Sequence, residues 1–261
     1  MAEETIPDGG TVRCDIEDRP EGPIAHLRID HPERRNALGP AVVAALTEQA
    51  TRLHDMPELR IVTLRGSGAM FSAGANVKIL AGLDPDGARA FISALHGAID
   101  AVRRIPVPVI AVLEGRCYGG AMELAAACDM RLAAETLISG MPEVRVGIPS
   151  VIEACLLPRL IGWGKTSELL FTGRDVVGAE NREIGFVERM APHDEVDAAL
   201  EEWTGMILAC APGAVRAQKR VMQGWEPDDG PGIAASIEAF ALSYRGDEPA
   251  RYLAPFVAKR R

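Results

Sequence analysis

Residues 117–129 read CYGGAMELAAACD, a Gly-Gly pair followed by small apolar residues and one carboxylate, Glu123. The glycines let the backbone turn sharply and approach a neighbour closely. The alanines, leucine and methionine after them favour helix, so the segment predicts a helix opening near Gly120. A helix that is apolar on every side is buried on every side. An ionised carboxylate is costly there unless it is paired, protonated or put to use. The segment therefore raises the question of fold and the question of chemistry together.

Working outward, PVIAVLEG (108–115) reads as a buried strand leading into this glycine loop and helix. The same order occurs upstream: the apolar strand IVTLRG (61–66), the small-residue loop GSGAMFSAGAN, then the amphipathic helix ARAFISALHGAIDAVRRI (88–105). TVRCDIE (11–17) and IAHLRID (24–30) alternate in hydropathy around the turn RPEG and predict a β-hairpin. Pro40 opens a helical pattern that ends before Pro57. Beyond about residue 150 the strands nearly vanish, apart from FVERM (186–190), and four helical segments follow, from DEVDAALEEWTGMILA to EPARYLAPFVAKRR. The expectation is an α/β core of repeating ββα or βα units over 1–195 and a helical region over 196–261.

Composition narrows the function classes. Hydrophobic residues make up 48% of the 261 and charged residues 25%, an ordinary globular balance. The formal charge of −9 repels nucleic acid and anionic membrane surfaces, although a local basic patch can still bind a phosphate-bearing small molecule. Five cysteines without a CxxC fit reduced thiols rather than a disulfide framework or a zinc site. The polar start MAEETIPDGG is no signal peptide, and no apolar run reaches transmembrane length. The expectation is a cytoplasmic protein with no membrane or nucleic-acid partner and no metal.

Two glycine motifs fail on inspection. GSGAMF (66–71) has Phe71 where a dinucleotide fingerprint needs its third glycine. GWGKTS (162–167) ends like a phosphate loop, but Arg159 stands at the first glycine position and no strand precedes it. It reads instead as a turn opening the helix KTSELLFTG. No GxSxG elbow is present either. Two loops survive, FSAGAN (71–76) and YGGAM (118–122), whose small residues let backbone N–H groups face a ligand. The second adds the positive end of a helix dipole. Two such N–H groups aimed at one oxygen form an oxyanion hole suited to a thioester-derived enolate. Glu123 falls in the first turn of that helix. Glu143, in SGMPEVRVGIP (139–149), would by itself read as a solvated strand-edge residue. Two carboxylates beside an oxyanion hole supply what addition of water to an activated double bond requires: one takes a proton from water, the other delivers one to carbon.

From HPERRNAL (31–38) through FSAGANVK (71–78) and YGGAMELAAACD to PFVAKRR (255–261), the chain resembles the enoyl-CoA hydratase/isomerase, or crotonase, family. The resemblance implies a spiral of ββα units with a helical C-terminal trimerisation region, assembled as a homotrimer or as a hexamer made of two trimers. It implies that Ala75 and Gly120 supply the oxyanion N–H groups. Glu123 and Glu143, twenty residues apart as in the hydratases, match the two catalytic glutamates. It places Arg34, Arg35, Asn36 and Ala37, with Ala73, Asn76, Val77 and Lys78, along the CoA site. Phe256 and Lys259 match C-terminal residues that reach CoA, often that of a neighbouring subunit. The reaction implied is reversible hydration of a 2-enoyl-CoA to a 3-hydroxyacyl-CoA in acyl-CoA catabolism. It uses no cofactor beyond the CoA of the substrate. In that scheme Glu123 activates the water and Glu143 protonates C2.

Two departures stand out. Asn76 replaces the aspartate of many hydratases and can still cap a helix. GIPSVIEACLLPR (147–159) replaces a Gly-rich GxxPGAGGT-like loop, with bulky Val151, Ile152 and Glu153 and one residue fewer. That loop borders the acyl pocket and helps hold the water. Glu153 reads either as helix surface or as a third pocket carboxylate. Isomerisation, dehalogenation, decarboxylation or thioester hydrolysis on the same fold is the alternative reading. A non-catalytic acyl-CoA- or RNA-binding homologue is the alternative of another class. The negative charge weighs against RNA, and the intact glutamates weigh against lost catalysis.

Overall fold

Alternation in the first strands does what it predicts. In a computed structural model, which describes residues 9–258, β1 (Thr11–Glu17) and β2 (Ile24–Asp30) form an antiparallel hairpin with Thr11 opposite Asp30 and Glu17 opposite Ile24. The chain then passes through a 3-10 turn (Pro32–Arg34) into α1 (Pro40–His54), where Pro40 at the first position supplies the preset φ. β3 (Ile61–Gly66) follows, then the short α2 (Val77–Leu80) and the long α3 (Pro85–Arg103). Asp84 caps α3 by accepting the Gly87 N–H at 2.7 Å, and Phe91, Ile92, Leu95, Ala98, Ile99 and Val102 bury one face at helical spacing. β4 (Val109–Leu113) is buried at every position, as a strand covered on both faces must be.

After β4 the chain forms β5 (Arg116–Tyr118), the buried α4 (Gly120–Ala127), β6 (Met130–Ala134) and β7 (Ile138–Gly140). Two 3-10 turns, Glu143–Val146 and Ile152–Leu156, lead into α5 (Leu157–Thr172), kinked at Gly162. β8 (Asp175–Val177), α6 (Glu180–Glu183) and β9 (Arg189–Ala191) complete the strands. The main sheet has the order β1-β2-β3-β4-β6-β9, parallel from β2 onward, and a small second sheet has the order β5-β7-β8. Strand pairs feeding helices give the repeating units expected from the sequence.

The sequence reading passed over β5, β6, β7 and β8. These strands are three to five residues long, and their pairing partners lie far along the chain, so local periodicity carries little signal for them. The strand expected at FVERM is shorter and shifted toward its C-terminal end. Phe186 and Val187 give both backbone N–H groups to the Asn181 carbonyl, which keeps them out of the sheet, and the strand begins only at Arg189.

α7 (Val196–Leu208), α8 (Pro212–Gln223), α9 (Gly230–Ser243) and α10 (Glu248–Ala258) form the C-terminal region. α9 lies on α3, and α10 packs on α2 and on the turn that carries Glu143. α8 is tied to the core through Lys219, whose buried ammonium donates to Asp129 at 2.6 Å and to the Val107 carbonyl at 2.9 Å. Among the described residues no helix is long and apolar enough to cross a membrane.

Candidate active site

Three backbone strips come together beside the first turn of α4. Leu38 N–H donates to the Gly74 carbonyl and Ala73 N–H to the Arg35 carbonyl, pairing the 35–38 strip with 72–75. On the other side Ser72 N–H donates to Arg116 and Tyr118 N–H to Ser72. The fit demands glycine at Gly74, where φ is +81° and a Cβ would stand 2.3 Å from the Tyr118 carbonyl oxygen. Ser72, fully buried, accepts the Gly74 N–H and donates to the Asn36 carbonyl at 2.7 Å. The FSAGAN and YGGAM loops therefore lie edge to edge.

Two donors are left over from this network. Gly120 N–H opens α4 and, like every helix-initial N–H, has no partner within the helix. Among the described residues neither it nor the N–H of Ala75 donates to a protein acceptor. These are the amides expected to form an oxyanion hole, and the paired loops bring them to one place.

Both glutamates flank the adjacent glycines of this turn. A Cβ on Gly120 would lie 3.7 Å from Glu123 Oε2, and one on Gly119 only 2.1 Å from Glu143 Oε1. Glu123 is 3% exposed, so its setting is as dry as the sequence indicated. Burial first, then the charges of Glu143 and Glu153, push its carboxyl well above the ordinary range, while the N–H groups of Ala154 and Val151 pull the other way. Burial pushes Glu143 up to about 7, against the Ser150 hydroxyl, which donates to its Oε2 at 2.9 Å. Glu143 sits at the start of a 3-10 turn, not on a strand edge. Carboxyls whose proton affinity is raised by withdrawal from water are suited to general acid–base work.

The atypical segment serves both glutamates. Ser150 donates to Glu143, and the following turn, entered through Ile152 at φ +41°, packs against α4, which carries Glu123. Glu153 is not helix surface. It is 1% exposed and its Oε1 meets His96 Nδ1 at 2.6 Å. Sequence reasoning missed His96 and Ser150. His96 sits on the amphipathic α3 without any local motif, and Ser150 was hidden in a segment flagged only for its bulk.

The residues expected along the CoA site are spread around these loops. Arg34 is half-buried and Arg35 exposed, and Arg35 and Asn36 are consecutive left-handed residues at φ +58° and +53°. Asn36 is a scaffold residue: fully buried, it spends both amide donors on the Ser67 and Met70 carbonyls and accepts the His31 N–H. Ala37 is buried, whereas Ala73 and Val77 are partly exposed. Asn76 caps α2 by accepting the Lys78 N–H at 3.1 Å, and Lys78 projects into solvent. Phe256, 49% exposed on α10, belongs to the helix that packs on α2 of the same chain. Lys259 lies outside the described residues.

Known proteins carry the same framework. The family model described as enoyl-CoA hydratase/isomerase matches residues 19–243. The chain is 33% identical over 248 residues to the mouse (Mus musculus) mitochondrial enoyl-CoA hydratase domain-containing protein 2, covering 92% of this chain and 84% of that one. It is 33% identical to the putative enoyl-CoA hydratase/isomerase YngF of Bacillus subtilis, covering 91% and 93% of the two chains. A crystal structure of enoyl-CoA hydratase from Bacillus anthracis, 30% identical, superimposes with a TM-score of 0.78 over 96% of this chain and 97% of that one. The enoyl-CoA hydratase of Bacillus halodurans, at 20% identity, shares the fold with a TM-score of 0.85 over 93% and 99%. The crotonase fold expected from the sequence is thus the fold observed. With most of its length matched by one family and its backbone superimposable on that family's structures, the chain belongs to the enoyl-CoA hydratase/isomerase family.

Proposed function

We propose that the protein hydrates a 2-enoyl-CoA to a 3-hydroxyacyl-CoA. The observation that carries this reading is the placement of Glu123 and Glu143 against two adjacent glycines, at the mouth of the Gly120 N–H. The thioester oxygen sits between the N–H groups of Ala75 and Gly120. Water oxygen bonds to C3 as Glu123 takes its proton, and the π electrons of the double bond move toward the thioester oxygen, giving an enolate. The enolate collapses as C2 receives a proton from Glu143. Burial raises both carboxyls into a range where the pair can hold one proton, and the scheme uses Glu123 in its ionised form and Glu143 in its protonated form. One proton shared by the pair serves the reverse dehydration equally.

The test is hydration of crotonyl-CoA by Glu123→Gln and Glu143→Gln. Each loses roughly a hundred- to ten-thousand-fold in kcat, the usual worth of a general acid or base. Variants as fast as the parent overturn the reading. A second reading, double-bond isomerisation, is favoured by the buried Val151 and Ile152, which fill the turn against α4 where hydratases have small residues. Its signature is a 3-enoyl-CoA turned over by one of the two glutamine variants and not by the other.

Assembly as a homotrimer, or as two stacked trimers, belongs to the same proposal. Trp163, Phe171, Met206 and Trp225 are 63–82% exposed, large apolar side chains that association would cover. Light scattering of the purified protein reads the state directly.

A further inference from the structure

The catalytic scheme leaves one buried pair without a task. Glu153 is 1% exposed, and its Oε1 meets His96 Nδ1 at 2.6 Å. Two contacts fix where this pair sits. Leu95, the residue before His96 on α3, packs on the glycine that opens α4: a Cβ on Gly120 would lie 3.1 Å from Leu95 Cδ2 and 3.7 Å from Glu123 Oε2. Ser150 donates to Glu143 at 2.9 Å, and Glu153 follows Ser150 by three residues, a span of at most about 10 Å. The turn Ile152–Leu156 that carries Glu153 packs on both α3 and α4. The pair is thus tied at one end to the Gly120 turn and at the other to Glu143.

Glu153 Oε2 is buried and has no protein partner. Donation from His96 Nδ1 to Oε1 leaves the carboxylate its charge, so the second oxygen is an open acceptor. A link between α3 and the turn does not require such a group. Ile152, Ala154 and Leu156 of the same turn are buried and apolar, and apolar packing often stabilises as well as a buried ion pair. An open buried acceptor is a cost that packing does not offset. The backbone adds to it, because β-branched Ile152 is held at φ +41°, where such residues are rarely found. Costs of this kind, kept beside reacting groups, point to a ligand that makes use of them.

We propose that the His96–Glu153 pair determines substrate choice: the enoyl-CoA of this site carries a hydroxyl on its acyl chain beyond C3, and Glu153 Oε2 accepts the hydrogen bond from it. This rests on the acyl-CoA reading of the site. With the thioester oxygen at the Gly120 amide and C2 and C3 at the two glutamates, the chain beyond C3 meets the walls beside them. His96 orients the carboxylate, and Glu153 is the group that touches substrate. A site built to pair with a hydroxyl discriminates against a chain that lacks one, since the buried oxygen is then left unpaired.

Calorimetric titration with saturated acyl-CoAs reads the preference without turnover. The ligands are 4-hydroxybutanoyl-, 5-hydroxypentanoyl- and 6-hydroxyhexanoyl-CoA, each set against its methyl isostere, pentanoyl-, hexanoyl- and heptanoyl-CoA. At one length or more the hydroxylated ligand binds at least about tenfold tighter, the worth of a hydrogen bond to a charged group. Glu153→Leu abolishes or inverts that preference. Equal or tighter binding of the isostere at every length, or a preference that survives in Glu153→Leu, overturns the proposal. Should Glu153→Leu fail to fold, Glu153→Gln keeps the shape, removes the charge and lowers the preference at least about threefold; an unchanged preference there overturns the proposal equally. Hydration of the corresponding 2-enoyl-CoAs follows the same order in kcat/KM. A hydroxyl preference in binding, with none of them hydrated, supports this proposal and refutes the hydratase reading alone. Hydration without any preference does the reverse.

Discussion

The Glu143 carboxylate lies against the α-carbon of Gly119: a Cβ there would meet Oε1 at 2.1 Å, on a backbone held at φ +54°. The first glycine of the Gly-Gly pair is therefore the floor on which the second glutamate rests. The helix that follows carries the first glutamate.

Gly119→Ala is accordingly expected to displace Glu143 while leaving most of the fold intact. A misplacement near 1 Å costs about a hundredfold in rate, and the positive φ adds roughly 1 kcal/mol of instability. Steady-state kinetics beside a melting curve separates the two. A variant that melts a few degrees lower yet turns over like the parent contradicts the geometry.

Ser150→Ala removes the hydroxyl that donates to Glu143 Oε2. Losing a donor to a carboxylate disfavours the ionised form, so Glu143 titrates above its present value of about 7. A hydrogen bond to a charged group is worth about 1.5–3 kcal/mol. The Glu143 limb of the pH–rate profile should therefore move to higher pH by at least about one unit.

Stability should fall as pH rises across neutrality. Glu143 has an ordinary value of 4.5 and is raised to about 7 in the folded chain, so the folded state binds this proton more tightly. Its stabilisation is complete below about pH 4.5 and lost as pH rises through about 7, with a slope of about 1.4 kcal/mol per unit between them at most. Glu123, raised for the same reason of burial, acts in the same direction. Urea unfolding at pH 5 and pH 8 checks the sign. Glu143→Gln should flatten the dependence and exceed the parent in stability at pH 8.

Lys219→Met should destabilise moderately. It removes the ammonium that donates to the Asp129 carboxylate at 2.6 Å, leaving that exposed carboxylate the Val109 N–H at 2.7 Å and solvent. A hydrogen bond to a charged group is worth about 1.5–3 kcal/mol. The double variant with Asp129→Asn should recover part of that loss, as read by chemical denaturation.

The local chain determined a good deal. Alternation fixed the β1–β2 hairpin, apolar spacing fixed α3, and CYGGAMELAAACD announced a buried helix with one misfit carboxylate, because these patterns are written within a turn or two of the chain. Asn76 as a cap and Gly120 as a helix start were legible for the same reason. What the tertiary structure alone decided is how distant segments meet. The sequence places Glu153 in a loop, but only the packing of its turn against α3 and α4 buries it and gives it His96. Likewise the short strands β5, β7 and β8 are stable only as one another's neighbours. Hydropathy period and capping are local properties, whereas burial and the proton affinity of a carboxyl depend on every charge and surface that folding brings near it.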